Sequence, residues 1–244
     1  MDLVRGQLMS DRELIAFMPV YNEEANIATV ITEWLEAFAR ERIDARLLAL
    51  NDGSTDATLK VLKQLQLQFP DQLFVIDKPN SGHGRTCRVG YDIALKDRVP
   101  WVFQIDSDGQ CDPAFFSLFW AKRSEADCVF GKRIARDDGT LRTLIQVACR
   151  FLTMIATGRD LKDANVPYRL IKRSALQKAL PSVPAEFDMQ NVALTFALKR
   201  DPSLRWAYVP IKFRARQGGT NSINLPKIAR MGWRMLLQIN KVGR

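Results

Sequence analysis

The sequence predicts an α/β protein built on a mostly parallel, twisted sheet flanked by helices. Two observations predict it. Short apolar runs alternate with helix-periodic segments at intervals of about 30 residues, the pattern of a parallel sheet with crossover helices. Four polar clusters, YNEE, NDGSTD, NSGHGR and DSDGQ, each follow an apolar run, where the carboxyl ends of parallel strands form a ligand crevice.

LIAFMPV (14–20) reads as a buried strand, and EEANIATVITEWLEAFARE as a helix with Ile27, Val30, Ile31, Trp34, Leu35 and Phe38 on one face. ARLLALNDGSTD repeats strand and turn, and its helix DATLKVLKQLQLQF has Ser54 or Thr55 as the expected N-cap. LFVIDKPNSGHGRTCRVGYDIALK supplies a third strand, a glycine-rich turn and a third helix; WVFQI is the fourth strand. Later, DCVFGKR (127–133) and LRWAYVPIKF (204–213) read as strands and LRTLIQVACRFLTMIATG (141–158) as a largely apolar helix interrupted by Arg150. NLPKIARMGWRMLLQINKVGR forms a basic amphipathic helix. Lys227, Arg230, Arg234, Gln238 and Lys241 share an arc of roughly 80°, apart from Ile228, Met231, Met235, Ile239 and Val242. Such a helix can lie in a membrane interface, or pack on the domain with its basic face in water.

The 244 residues carry a formal net charge of +9, and its location is more telling than its size. Residues 199–244 hold eleven Lys or Arg and one acid, whereas the first 198 residues balance at −1. That asymmetry suits a surface that meets phosphate. Nucleic acid is disfavoured, since no recognised motif or aromatic stacking platform accompanies the basic tail. With no C-x-x-C spacing and His83 as the single histidine, zinc is disfavoured. Cys87, Cys111, Cys128 and Cys149 are expected to be free, mostly buried thiols in a reducing compartment. MDLVRGQLMSDREL lacks the apolar core of a secretory signal, and no run of 18 apolar residues is present to span a bilayer.

The chemistry concentrates in VPWVFQIDSDGQCDP. Asp106 and Asp108 close a buried strand, and carboxylates there need a basic group, a metal ion or water. If extended geometry persists, residues 106, 108 and 110 lean to one side, and their hard oxygens suit Mg²⁺ or Mn²⁺ that leaves room for substrate phosphates. A solvated acidic turn is the plain alternative. Asp112, followed by Pro113, reads instead as a helix N-cap with proline at the first helical position.

PVYNEE, then NDGSTD, then DSD, in that order and spacing, resembles the inverting nucleotide-diphosphosugar glycosyltransferases of GT-A fold. The likeness is greatest to the dolichyl-phosphate mannose synthases and polyprenyl-phosphate glycosyltransferases, over roughly residues 14–222. The resemblance implies that Pro19, Tyr21 and Glu23 line the base and ribose, that Asp52, with the backbone near Leu50, recognises the base edge, and that Asp106 and Ser107 bind the nucleotide diphosphate. Asp106, Asp108 and Gln110 would hold the metal. FGKRI and KDANVPYRLIKR resemble later family elements, the first placing Arg133 near the phosphates and the second supplying Asp163 and a further phosphate-binding arginine, Arg169; VPIKFRARQGGTNS places Arg216 beside the diphosphate or acceptor phosphate. Arginine suits that task because its planar fork donates two parallel hydrogen bonds. In the glycine-rich loop, Gly82 and Gly84 permit close backbone approach and Arg85 faces phosphate; His83 reads as a structural loop residue. The last element departs from the mannose synthases, with one extra residue between Gly219 and Ser222 and Ile223 in place of their Lys.

The implied organisation is a GT-A domain over 1–224, with a nucleotide-sugar half (14–113) and an acceptor half (114–224), followed by the basic helix 225–244. The implied function is metal-dependent transfer of a sugar from a nucleotide diphosphate sugar to a polyprenyl phosphate. The enzyme would lie on the cytoplasmic membrane face, peripherally bound through its basic tail. An anionic phosphate nucleophile needs no general base. A hydroxyl acceptor would, and Asp188, with Glu186 beside it, stands where hydroxyl-directed relatives keep one. Two other readings stay open: a haloacid-dehalogenase-like phosphatase with Asp106 as nucleophile, since DSDGQ partly resembles its D-x-D-G-T motif, and a non-catalytic nucleotide-sugar-binding module.

Overall fold

The computed structural model describes residues 12–135, 154, 161, 163–187, 189–214 and 242. The elements run β1 (Leu14–Val20), α1 (Ile27–Arg40), β2 (Ala45–Asp52), α2 (Thr58–Gln68), β3 (Leu73–Lys78), α3 (His83–Lys96), β4 (Trp101–Gln104), a 3₁₀ turn (Pro113–Phe115), α4 (Phe116–Lys122), β5 (Cys128–Ala135), β6 (Arg169–Lys172), α5 (Arg173–Ala179), a second 3₁₀ turn (Leu180–Ser182), α6 (Gln190–Lys199) and β7 (Trp206–Lys212).

Seven strands form one sheet in the order β3-β2-β1-β4-β6-β5-β7. β3, β2, β1 and β4 pair in parallel, β6 is antiparallel to both β4 and β5, and β5 pairs in parallel with β7. The parallel half follows the alternation of the sequence. β1 and β2 are buried at every position, as strands covered on both faces must be. β6 was not foreseen, because four residues flanked by charge, RLIK, carry too little pattern to stand out. Only Met154 of the apolar segment 141–158, and only Val242 of the tail helix, lie among the described residues.

β1 outruns its neighbour. β4 pairs only with Leu14–Phe17, whereas β2 accompanies β1 to Val20. Pro19, which has no N–H to give, sits in the stretch where one flank of the strand is open. That fork in the sheet, with the chain leaving β4 at Ile105 and β1 continuing beside β2, opens the crevice described below. Beneath it the core is aromatic: Trp34 of α1 meets Phe103, Phe116 and Tyr168 with ring centroids 5.4, 6.1 and 5.6 Å away.

The helix that borders the crevice, α3, lies close on β1 because of Gly90. A Cβ there would come 2.3 Å from Cδ2 of Phe17, whose ring also makes an edge contact with Tyr91 at 4.8 Å. Gly90→Ala therefore forces either the ring or the helix to move. Denaturant unfolding should show a loss of about 1–3 kcal/mol, the usual cost of overpacking a filled core.

Candidate active site

The first two polar clusters are interlocked. Asn22, in the left-handed region at φ 54°, accepts a hydrogen bond from the Thr55 amide (2.8 Å) and donates its own amide to Ser54 Oγ (3.0 Å). Glu24 accepts from the Ala57 amide (2.7 Å) and donates its backbone N–H to Asp56 (3.3 Å). Thr58 Oγ1 accepts from the Glu23 amide (2.8 Å) and donates to Asp56 (2.5 Å). Helix α2 consequently starts at Thr58, later than the expected cap at Ser54 or Thr55. Those two residues serve the cross-loop bonds, and the first free amides of α2 are met by Asp56 and Glu24. This zip directs alternate residues of YNEE sideways and leaves Tyr21 and Glu23 to the crevice.

The crevice is a pocket of about 350 Å³ at the carboxyl ends of β1 to β4. The end of β1 and the turn after it contribute Pro19, Val20, Tyr21 and Glu23; β2 contributes Asp52; the β3–α3 turn and the first residue of α3 contribute Asn80, Gly82 and His83; the turn after β4 contributes Asp106, Ser107 and Asp108. Eight of the residues expected at the site from sequence, Pro19, Tyr21, Glu23, Asp52, Gly82, Asp106, Ser107 and Asp108, are thus brought to one cavity, with His83 beside them. Tyr21 presents its ring at the mouth, 47% exposed.

Asp52 is the most constrained of them. Its Oδ1 takes the Lys78 ammonium and the Ser81 amide (2.8 Å), and its Oδ2 takes the Gly82 amide (2.9 Å). Burial pushes this carboxyl upward. The hydrogen bonds from Lys78 and the Ser81 amide outweigh it and hold Asp52 below the ordinary carboxylate range. Gly53, at φ +65°, follows immediately, and a Cβ on it would stand 2.7 Å from the Asn80 amide nitrogen, so the two turns touch backbone to backbone.

Opposite lies the acidic turn. Oδ1 of Asp106 is buried without a hydrogen-bond donor, and burial raises that carboxyl to about 6, with His83 opposing the rise and Asp108 adding to it. His83 Nε2 stands 3.8 Å from Asp106 Oδ1 and 3.4 Å from Cys87 Sγ. The Cys87 sulfur, then Asp106 and Asp108, favour the imidazolium, which is raised to about 10. Asp108 Oδ1 accepts from the Gln110 amide (3.1 Å), and the Gln110 carbonyl accepts from the Arg214 amide (3.0 Å). As expected, Asp112 has a separate duty: its carboxylate caps the Pro113 turn through the Ala114 amide (2.9 Å) and takes Arg214 Nη2 (2.7 Å).

The remaining expected residues divide. Leu50 is buried in β2 without lining the cavity, and neither does Gln110. Arg133 is held by both oxygens of Asp163 and lies 5.5 Å from the Phe213 ring. Arg169 is a correction. It is wholly buried, and its five N–H groups go to the carbonyls of Ala164, Val166 and Asn191 and to Thr195 Oγ1, so no donor is left for phosphate. Asp188 and Arg216 lie outside the described residues; Glu186 is exposed ahead of α6, and Arg85 is exposed on α3. Cys87, Cys111 and Cys128 are free and buried as expected. Sequence reasoning missed Asn80 and Lys78, although both flank the glycine-rich turn in the string DKPNSG.

Among the described residues no group of three or more His, Cys, Asp or Glu side chains could hold a metal ion. Asp106 and Asp108 nonetheless offer hard carboxylate oxygens, one of them without a hydrogen-bond donor. That donor set fits a divalent ion whose coordination is completed by water and substrate oxygens.

Comparison with solved structures places this architecture in the GT-A class. Glucosyl-3-phosphoglycerate synthase from Mycobacterium tuberculosis, crystallised with Mn²⁺, uridine-diphosphate-glucose and phosphoglyceric acid, superposes with a TM-score of 0.69 at 18% identity, over 98% of this chain and 83% of that one. Residues 15–180 match the glycosyl transferase family 2 profile, and the chain belongs to that family. It is a nucleotide-sugar glycosyltransferase. Among curated relatives, a polyprenol monophosphomannose synthase of Mycolicibacterium smegmatis is 26% identical over 220 residues, covering 86% of this chain and 80% of that protein. The dolichyl-phosphate beta-glucosyltransferase ALG5D of Trichomonas vaginalis is 24% identical over 176 residues, 65% of this chain and 53% of its own length.

The Asp52 carboxylate makes acid stability a test of this geometry. Its folded pKa lies below the unfolded value of about 3.9, so the ionised form stabilises the fold. That contribution is complete above the unfolded value and is lost as pH falls through the folded one. Wild type should therefore exceed Asp52→Asn in unfolding free energy at pH 6, with the gap closing below about pH 4 in denaturant titrations.

Proposed function

We propose that this glycosyltransferase moves a sugar from a nucleotide diphosphate sugar to a polyprenyl phosphate, with Mg²⁺ or Mn²⁺ at the acidic turn. The observation that carries the proposal is the buried oxygen of Asp106 that accepts no hydrogen bond, beside Asp108, in a pocket that also receives the ends of β1, β2 and β3. The relatives support the acceptor: one is a polyprenol monophosphomannose synthase, the other a dolichyl-phosphate glucosyltransferase. The structural neighbour supports donor and metal, having been crystallised with Mn²⁺ and uridine-diphosphate-glucose.

In this reading Tyr21 and Glu23 take base and ribose, Asp52 takes the base edge, and Ser107 faces the diphosphate. Asp106 and Asp108, with Gln110, would hold the ion. When bound, it would neutralise the leaving diphosphate as a Lewis acid and orient it. Arg133 and Arg216 would hold the acceptor phosphate in line, Arg133 sharing or exchanging its Asp163 carboxylate. The acceptor is already an anion, so no side chain needs to remove a proton.

Full chain incubated with a panel of nucleotide sugars, membrane lipid extract and Mn²⁺ should yield a lipid-linked sugar detected by mass spectrometry after extraction. Asp108→Ala should lower that yield at least 100-fold; full activity would exclude the metal assignment. Transfer only to a hydroxyl acceptor, abolished in Asp188→Ala, would replace the phosphate-acceptor route.

We also propose that residues 1–224 form the catalytic domain and that 225–244 bind the inner, anionic membrane face. No helix among the described residues is long and apolar enough to cross a bilayer. The concentration of positive charge in residues 199–244 supports peripheral attachment. Deleting 225–244 should release the protein from sedimenting anionic vesicles, and unchanged sedimentation would show that the main contact lies elsewhere.

A further inference from the structure

We infer that the Asp52 site selects a donor whose base presents one N–H between two acceptors, a uracil-type edge, over guanine, and that Lys78 sets this selection. The inference rests on the nucleotide-sugar reading of the pocket and concerns which base enters it.

The argument is a count of acceptor positions. An ionised carboxylate offers about four lone-pair sites. On Asp52, Oδ1 accepts from Lys78 Nζ and from the Ser81 amide, with Ser81 Oγ a further 3.5 Å contact, while Oδ2 accepts from the Gly82 amide. Thr86 also faces this carboxylate, but its hydroxyl proton goes to the Gly82 carbonyl at 3.1 Å. One position, on Oδ2, is left for a ligand. Lys78 cannot turn away at no cost. Its ammonium is also bonded to Pro79 O (3.1 Å) and Ser81 Oγ (2.7 Å), which accounts for all three of its protons.

Guanine offers two adjacent N–H donors, N1–H and N2–H, and needs two acceptor positions side by side. Uracil offers N3–H alone, flanked by the O2 and O4 acceptors. A single free lone pair matches the second pattern and strands one donor of the first. The flanking acceptors also have a partner within the pocket. Asn80 lines the cavity, carries no hydrogen bond to any described residue, and is set against Asp52 by the backbone contact at Gly53. Its carboxamide can donate to a pyrimidine carbonyl.

The test is calorimetric titration of the full chain, with Mg²⁺ present, by UDP and GDP, followed by the same pair on Lys78→Met. UDP should bind wild type about tenfold or more tightly than GDP, the consequence of one stranded N–H. Lys78→Met, shown to be folded by its thermal transition, should bring the two within about threefold by tightening GDP. Asn80→Ala supplies a second variant that leaves the Asp52 contacts in place, and it should weaken UDP more than GDP. Equal or tighter GDP binding to wild type overturns the inference and leaves the nucleotide-sugar reading standing. Binding of neither nucleotide overturns both. An unchanged UDP-to-GDP ratio in Lys78→Met removes Lys78 as its cause.

Discussion

The capture of the β3–α3 turn by Asp52 is the constraint on which the rest of the pocket depends. A carboxylate at the end of β2 accepts the amides of Ser81 and Gly82 at 2.8 and 2.9 Å, just where α3 begins. It thereby does for the start of α3 what an anion does at a helix N-terminus, satisfying donors that have no partner within the helix. The consequence is positional. With Gly82 fixed, His83 is carried over the acidic turn, 3.8 Å from Asp106, and Asn80 is held beside Gly53 at the opposite lip. This side of the cavity is thus built by the hydrogen bonds and ion pair of one carboxylate rather than by rigid secondary structure alone.

The acidic turn is arranged the other way. Asp52 takes three close donors from the protein, Lys78 and the Ser81 and Gly82 amides, whereas Asp106 keeps a buried oxygen with no hydrogen-bond donor and is raised to about 6 by that burial. Leaving a buried acceptor unpaired costs on the order of 1–3 kcal/mol, so an apo pocket of this kind is held by the surrounding fold at a local loss of stability. His83 offsets part of the cost as the neighbouring cation. Two aspartates at the ends of β2 and β4, the strands on either side of β1, therefore have different characters: one is held by several protein donors, and the other keeps a buried oxygen with no hydrogen-bond donor.

How much of this was legible in the sequence follows from what each feature depends on. The parallel half was readable because LIAFMPV and ARLLALND are continuous apolar runs of strand length, and the motif clusters at their ends are local strings. The pairing of those clusters was not readable. That Asn22 would reach Thr55, or Lys78 Asp52, is a fact of strand order and register, which no single stretch encodes. Arg169 shows the same limit. Its motif context resembles a phosphate contact, yet it sits at the first position of β6, where the antiparallel insertion between β4 and β5 buries it among carbonyl groups. An arginine with five satisfied donors inside the fold is a structural fastener for an irregular crossing, and only the topology reveals that.

Arg214 makes the last connection. It follows β7, and its guanidinium joins Glu33 of α1 (2.6 Å) to Asp112 (2.7 Å), while its amide donates to the Gln110 carbonyl. Each of these pairs is a third to a fifth exposed, so each contributes at most about 1 kcal/mol to stability. Their effect is geometric. Gln110 is gripped from both sides, its N–H by Asp108 and its carbonyl by Arg214, so the loop that carries Asp106 and Asp108 is fixed at its far end by a residue from the other half of the sheet. Arg214 thus ties the end of β7 to the turn after β4 through both its backbone amide and its guanidinium.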